Sequence, residues 1–247
     1  MRAYELIKET FSRKIYIWIV HLSWLAFYGF IFILFHELTG TELEEFYTFL
    51  FVCSGCLLPF LLSAGIFGDD IASGRICVLV TKPFWLGELY VYRLMGLSLQ
   101  AALHLILAGC IILIFHNAMG KGSIGNLSFW LLSSWLLFNT WAAMLTSVSV
   151  VVRRAHDSLL VFVVLIFIYV LVGFLMTFHY TSTGTKVFMG FLRYAGPPFE
   201  LLWKLAKREY GLTQSVACVA HSLVLTIFYS VVGIIILSKR QFTCELD

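Results

Sequence analysis

Apolar residues recur at spacings of three and four over the first turns of the chain. Tyr4, Ile7, Phe11 and Ile15 share one side, and Glu5, Lys8, Glu9, Ser12 and Arg13 fill the other. That period predicts an amphipathic helix over 1–14, with an apolar face suited to a membrane interface. The pattern then changes to continuous apolarity. Six runs follow, at 15–35, 46–68, 94–115, 127–152, 158–178 and 215–237. Each reaches the roughly 20 residues that a helix needs to cross hydrocarbon. Before the last run, Gly196-Pro197-Pro198 breaks the chain and a second amphipathic pattern begins. Glu200, Lys204, Lys207 and Arg208 oppose Phe199, Leu202, Trp203, Ala206 and Tyr210. This helix is expected within an outer loop at 179–214, either lying on the leaflet or covering the bundle; the pattern fits both.

Composition agrees with lipid as the main solvent. Of 247 residues, 60% are hydrophobic and 13% charged, whereas soluble domains sit nearer half and a quarter. The prediction is an all-α polytopic membrane protein, a single transmembrane domain over 1–247 with six spans. The first run is longer than a signal-peptide core and no small-residue cleavage site follows it, so it reads as a retained span. Charge orients the spans. With both termini inside, 11 of the 17 Lys and Arg residues fall on inner segments, as the positive-inside rule requires. A net charge of +3 gives no reason to expect a nucleic-acid partner. The six cysteines are not arranged as a secreted disulfide framework.

Candidate chemistry is sparse. None of the six runs contains Asp, Glu, Lys or Arg. Ion-coupled transporters usually place such groups within their spans, and enzymes need acids, nucleophile–base pairs or metal ligands. Both classes are disfavoured. No GxxxxGK[ST] loop is present, so the chain lacks that means of holding ATP. Cys53-Ser54-Gly55-Cys56 is a CxxC; within an apolar helix such thiols more often pack as small hydrophobes than do redox work. His36, His116 and His179 each follow the outer end of an odd-numbered run. If those ends meet, three imidazoles could hold a metal or an anionic headgroup; otherwise they are half-polar rings at the interface. His21, His104 and His221 lie within runs. Gln100 sits one helical turn before His104, which predicts a polar pair facing the bundle interior.

The segment 69–93 joins the second and third runs. Asp69-Asp70 suits a helix N-terminus, Gly74 interrupts the helix, and Pro83 suits the first turn of the next. Phe84, Trp85 and Leu86 then form an exposed apolar patch ahead of Glu88. The patch serves equally as a protein-docking surface or as a lipid anchor.

In Asp69, Asp70, Gly74, Pro83 and Glu88 between the second and third runs, the chain resembles the permease subunits of type-2 ABC transporters. The layout resembles them too: an N-terminal interfacial helix, six spans with both ends inside, a basic connection at 153–157 and a Pro-Phe-containing helical segment at 194–201. Phe84-Trp85-Leu86 departs from the polar or basic residues that the family often has there. The resemblance implies a subunit without enzymatic activity or cofactor of its own, pairing with a second permease, identical or different, in a bacterial inner membrane. It implies a separate ATP-binding cassette ATPase carrying ATP and Mg, seated on a coupling segment that includes Asp69, Asp70, Gly74, Arg75, Lys82, Pro83, Phe84, Trp85 and Glu88. Export is the commoner behaviour of that family. The polar but uncharged span residues, Gln100, His104, Ser133, Ser134, Asn139 and Thr140, are candidates for a path taking a lipid-like or amphiphilic cargo. The rival reading is a membrane-embedded scaffold, sensor, or immunity or assembly factor without transport of its own.

Overall fold

The computed structural model describes the chain except residues 1, 14, 40–42, 81–84, 120–125, 153–158, 165–166, 168–186, 188–189, 191–193, 195 and 241–247. Its described elements are helical: α1 (Arg2–Arg13), α2 (Ile15–Thr39), α3 (Leu43–Leu50), a π-helical turn (Phe51–Leu57), α4 (Leu58–Ser63), α5 (Gly68–Ala72), α6 (Arg75–Val80), α7 (Leu86–Met119), α8 (Leu127–Ser149), α9 (Phe199–Ala206) and α10 (Leu212–Lys239). Among the described residues, four stretches are long and apolar enough to cross a membrane: Glu45–Ala72, Leu86–Ile114, Leu127–Ser149 and Leu212–Lys239. Helix α2 carries the first apolar run. The connection expected at 153–157 lies outside the described residues, as does most of the expected span at 158–178, of which 159–164 and 167 are described and helical.

Helix α8 is the centre of the bundle. It packs against α3, the π-helical turn, α4, α7, α9 and α10. Two thirds of its apolar window is buried (67%), against 17% for α10, so α10 turns most of its surface outward. A Cβ at Gly55 would lie 3.1 Å from Leu137 Cδ2, which brings the π-helical turn close to α8. That widened turn immediately precedes Pro59 at the start of α4. Proline has no N–H to give to the preceding turn, and a π-bulge is one way for a helix to absorb that loss. Leu58 donates its N–H to the Cys53 carbonyl within the widened turn.

Two glycines with positive φ shape the surface between the second and third long helices. Gly65 (φ 69°) and Gly74 (φ 71°) bracket α5. At the start of α5, Ser149 Oγ of α8 accepts from the N–H groups of Phe67 (3.0 Å) and Gly68 (3.1 Å). At its end, Ser73 donates its N–H to the Asp69 carbonyl and Gly74 to that of Ile71. Gly74 thus occupies the left-handed position that commonly closes a helix, and the interruption expected there is observed.

The amphipathic helix at the N-terminus is also as expected, but it rests on protein as well as offering an exposed side. It packs on α7, where a Cβ at Gly96 would lie 2.7 Å from Thr10 Cβ and 3.0 Å from the Ile7 carbonyl oxygen. At the opposite end of the bundle, α9 buries Leu202, Leu205 and Ala206. Its Trp203 meets Phe51 edge-on at 5.5 Å and Trp130 at 5.4 Å. Of the two placements the pattern allowed, α9 takes the covering one. The helix ends at Ala206, so Lys207 and Arg208 lie beyond it, over the rings of Trp203 (5.3 Å) and Phe129 (4.6 Å).

Candidate functional site

Arg93 is the clearest departure from the sequence reading. The third span was expected to start after it, yet α7 begins at Leu86 and Arg93 lies inside the helix with no exposed surface. Its guanidinium donates from Nη2 to Asp70 Oδ2 (2.8 Å) and from Nη1 to Glu9 Oε1 (3.0 Å) and Thr10 Oγ1 (3.2 Å). Glu9 Oε2 then meets Arg75 Nη2 at 3.0 Å. The result is an alternating chain, Asp70–Arg93–Glu9–Arg75, that joins α5, α7, α1 and α6. A buried arginine is tolerable only when its charge is paired. Two carboxylates and a hydroxyl engage both terminal nitrogens here, while Nε is left buried without a partner.

This network changes the reading of the segment 69–93. Asp70 was expected to offer its charge to a partner; it is buried and spends that charge on Arg93. Asp69 is half-buried, with its carboxylate folded over Gly65. Arg75 is exposed but engaged with Glu9. The outward-facing groups among the expected coupling residues are Gly74, Glu88 and Trp85, the last 61% exposed. Lys82, Pro83 and Phe84 lie outside the described residues. The surface is therefore a helix–turn–helix with an exposed Gly74 turn, braced from behind by ion pairs.

Tyr90, one turn before Arg93, links the same region to the bundle core. Its ring stacks on Phe67 (5.6 Å) and its hydroxyl donates to the Ala143 carbonyl (3.1 Å). Gly233 of α10 makes room for it: a Cβ there would lie 2.5 Å from Tyr90 Cε2. Just past the same end of α10, Arg240 Nη1 donates to the Val150 carbonyl.

The expected path residues separate into two seams. His104 does not pair with Gln100. Its Nε2 lies 3.1 Å from His21 Nδ1 and 3.1 Å from Ser54 Oγ, tying α7 to α2 and the π-helical turn. Gln100 is buried, with neither end of its amide partnered. Thr140 instead reaches Ser222 Oγ (3.0 Å) and Thr226 Oγ1 (3.2 Å), a hydroxyl ladder between α8 and α10. Asn139 donates to the Trp135 carbonyl of its own helix at 2.7 Å. Ser134 likewise bonds back, to the Trp130 carbonyl at 2.7 Å, while buried Ser133 finds no partner for its hydroxyl.

The two thiols of the CxxC are free, Cys53 buried and Cys56 half-buried. Among the described residues no three His, Cys, Asp or Glu side chains are grouped to hold a metal. His116 ends α7 with its Nδ1 buried and unpartnered. His179 and the side chain of His36 fall outside what is described.

Sequence reasoning missed Glu9, Ser54, Tyr90 and Ser149 as parts of these sites. Each is unremarkable in its local pattern and gains its role from a partner far along the chain. The class that the fold defines is a helical bundle with membrane-spanning helices. No protein-family model matches the chain, and no curated protein is significantly similar to it.

Proposed function

We propose that this chain is the permease subunit of an ATP-driven transporter, driven through its 69–93 segment by a separate ATP-binding cassette ATPase. The observation that carries this reading is the Asp70–Arg93–Glu9–Arg75 chain. It fastens a surface helix–turn–helix to a long membrane helix and to the interfacial helix α1 at once. A force applied at α5 would reach α7 through the buried Asp70–Arg93 pair, which cannot part cheaply. In this proposal the chain has six spans with both ends inside, pairs with a second permease and sits in a bacterial inner membrane. ATP and Mg belong to the partner. Gln100 and His104 face the cargo path, while Thr140 and Asn139 brace α8. The uncharged character of these groups suits an amphiphilic cargo, moved outward.

Trp85 tests the docking surface. A photoreactive amino acid in its place, in cells that express the native partners, is expected to cross-link to a P-loop ATPase. Adducts with lipid alone would mean that this aromatic patch anchors in the membrane and that the proposed seat for the ATPase is wrong.

A further inference from the structure

The contact between His21 and His104 is more than a hydrogen bond that holds two helices together. Each imidazole nitrogen carries either one N–H or one lone pair. His104 Nε2 faces two groups, His21 Nδ1 and Ser54 Oγ, at 3.1 Å each. One nitrogen cannot make a full hydrogen bond to both. Its other nitrogen, Nδ1, is buried without a partner. If neutral His104 carries its proton on Nε2, Nδ1 is a bare acceptor. If it carries the proton on Nδ1, a buried N–H has nothing to donate to. Neither tautomer satisfies the ring. His21 presents the same problem at its Nε2, which is also buried without a partner.

An apolar pair would fill this space without leaving polar atoms unmade, which is costly away from water. A His–His–Ser cluster built at a π-helical turn, a feature frequent at functional sites, calls for a role beyond packing. Gln100 strengthens the point. It lies one turn from His104 on the same helix, is buried, and has both a donor and an acceptor unused.

We propose that His21 and His104 form a proton relay inside the bundle, handing protons across the seam between α2 and α7. When the seam opens to water, a hydronium gives its proton to His104 Nδ1 and leaves as water. The proton on His104 Nε2 passes to His21 Nδ1, and His21 releases the proton on its own Nε2 to a water molecule. At each ring one N–H bond forms and one breaks, and neither ring retains a charge. Ser54, able to donate to or accept from His104 Nε2, follows the tautomer change. The relay stands independently of the ATPase partner and can be examined on the purified chain.

The test is nitrogen-15 NMR of histidine-labelled protein in lipid nanodiscs. The expected result has two parts: a through-hydrogen-bond coupling between His21 Nδ1 and His104 Nε2, and His104 nitrogen shifts averaged between the two tautomers. His104→Phe should abolish the coupling and return the His21 signals to a single tautomer. Should that variant not fold, sequential carbon–nitrogen correlations on the wild type provide the assignment. A His104 ring fixed in one tautomer, or the absence of the coupling in the wild type, would overturn the relay.

Discussion

Replacing Arg93 with alanine is expected to destabilise the protein by about 3–5 kcal/mol, the cost of leaving buried carboxylate charge unpaired. Asp70 would keep its position at α5, with no exposed surface and without its cation. Glu9 would lose one of its two arginines. Thermal unfolding in detergent should show the loss directly. The same logic predicts partial recovery. When Glu9→Gln and Asp70→Asn accompany Arg93→Leu, no buried unpaired charge remains, only the exposed Arg75 loses its partner, and much of the deficit should disappear. Arg75→Ala provides the contrast. Its pair with Glu9 is substantially exposed, and such pairs are worth about 0–1 kcal/mol. An Arg75 effect as large as that of Arg93 would show that burial is not what gives the network its strength.

Gly233→Ala is the second large effect. The new methyl would meet Tyr90 ring atoms at 2.5–2.6 Å, and the ring has little freedom to retreat. It is fully buried, stacked on Phe67 and bonded through its hydroxyl to α8. Overpacking of this kind costs about 1–3 kcal/mol. Tyr90→Phe would not relieve the clash, because the ring remains; it would only remove the bond to Ala143. Tyr90→Leu combined with Gly233→Ala should therefore be less harmful than the sum of the two single changes. Strict additivity in a double-mutant cycle would place the cost elsewhere than in this contact.

The two variants show what could and could not be read from the sequence. Helix α1 was legible because its period is local, and so was the break at Gly74, because left-handed backbone favours glycine. Four of the apolar runs matched long helices for the same reason: length and hydropathy are properties of a window. A helix beginning near Pro83 and leading into the third span was legible too. That Arg93 would be buried within it was not, because the carboxylates that pair with it, on Asp70 and Glu9, come from elsewhere in the chain. Those partners lie 23 and 84 positions away. His104 illustrates the same limit. Helical spacing pointed to Gln100, four residues off, whereas the partner is His21, 83 residues distant. The π-helical turn left only Pro59 as a hint, since its cause is a hydrogen-bond pattern rather than a residue pattern.

The network around Arg93 also refines the coupling proposal. The carboxylate of Asp70 holds the docking segment in place from behind, so its loss should loosen α5 rather than remove a contact with another protein. Contact with a partner falls instead to the outward-facing Gly74 turn, Trp85 and Glu88. Docking and bracing are thus assigned to different residues, and variants of the two sets should fail differently: one in association, the other in folding.

The central claim is that this chain works with a separate ATPase. Purification of the tagged protein from its native membranes in mild detergent, followed by identification of the co-purifying chains, tests it most directly. The account predicts a stoichiometric P-loop ATPase, retained in wild type and lost when Trp85 and Glu88 are replaced together while membrane insertion is unchanged. Recovery of the intact chain with no ATPase would contradict it.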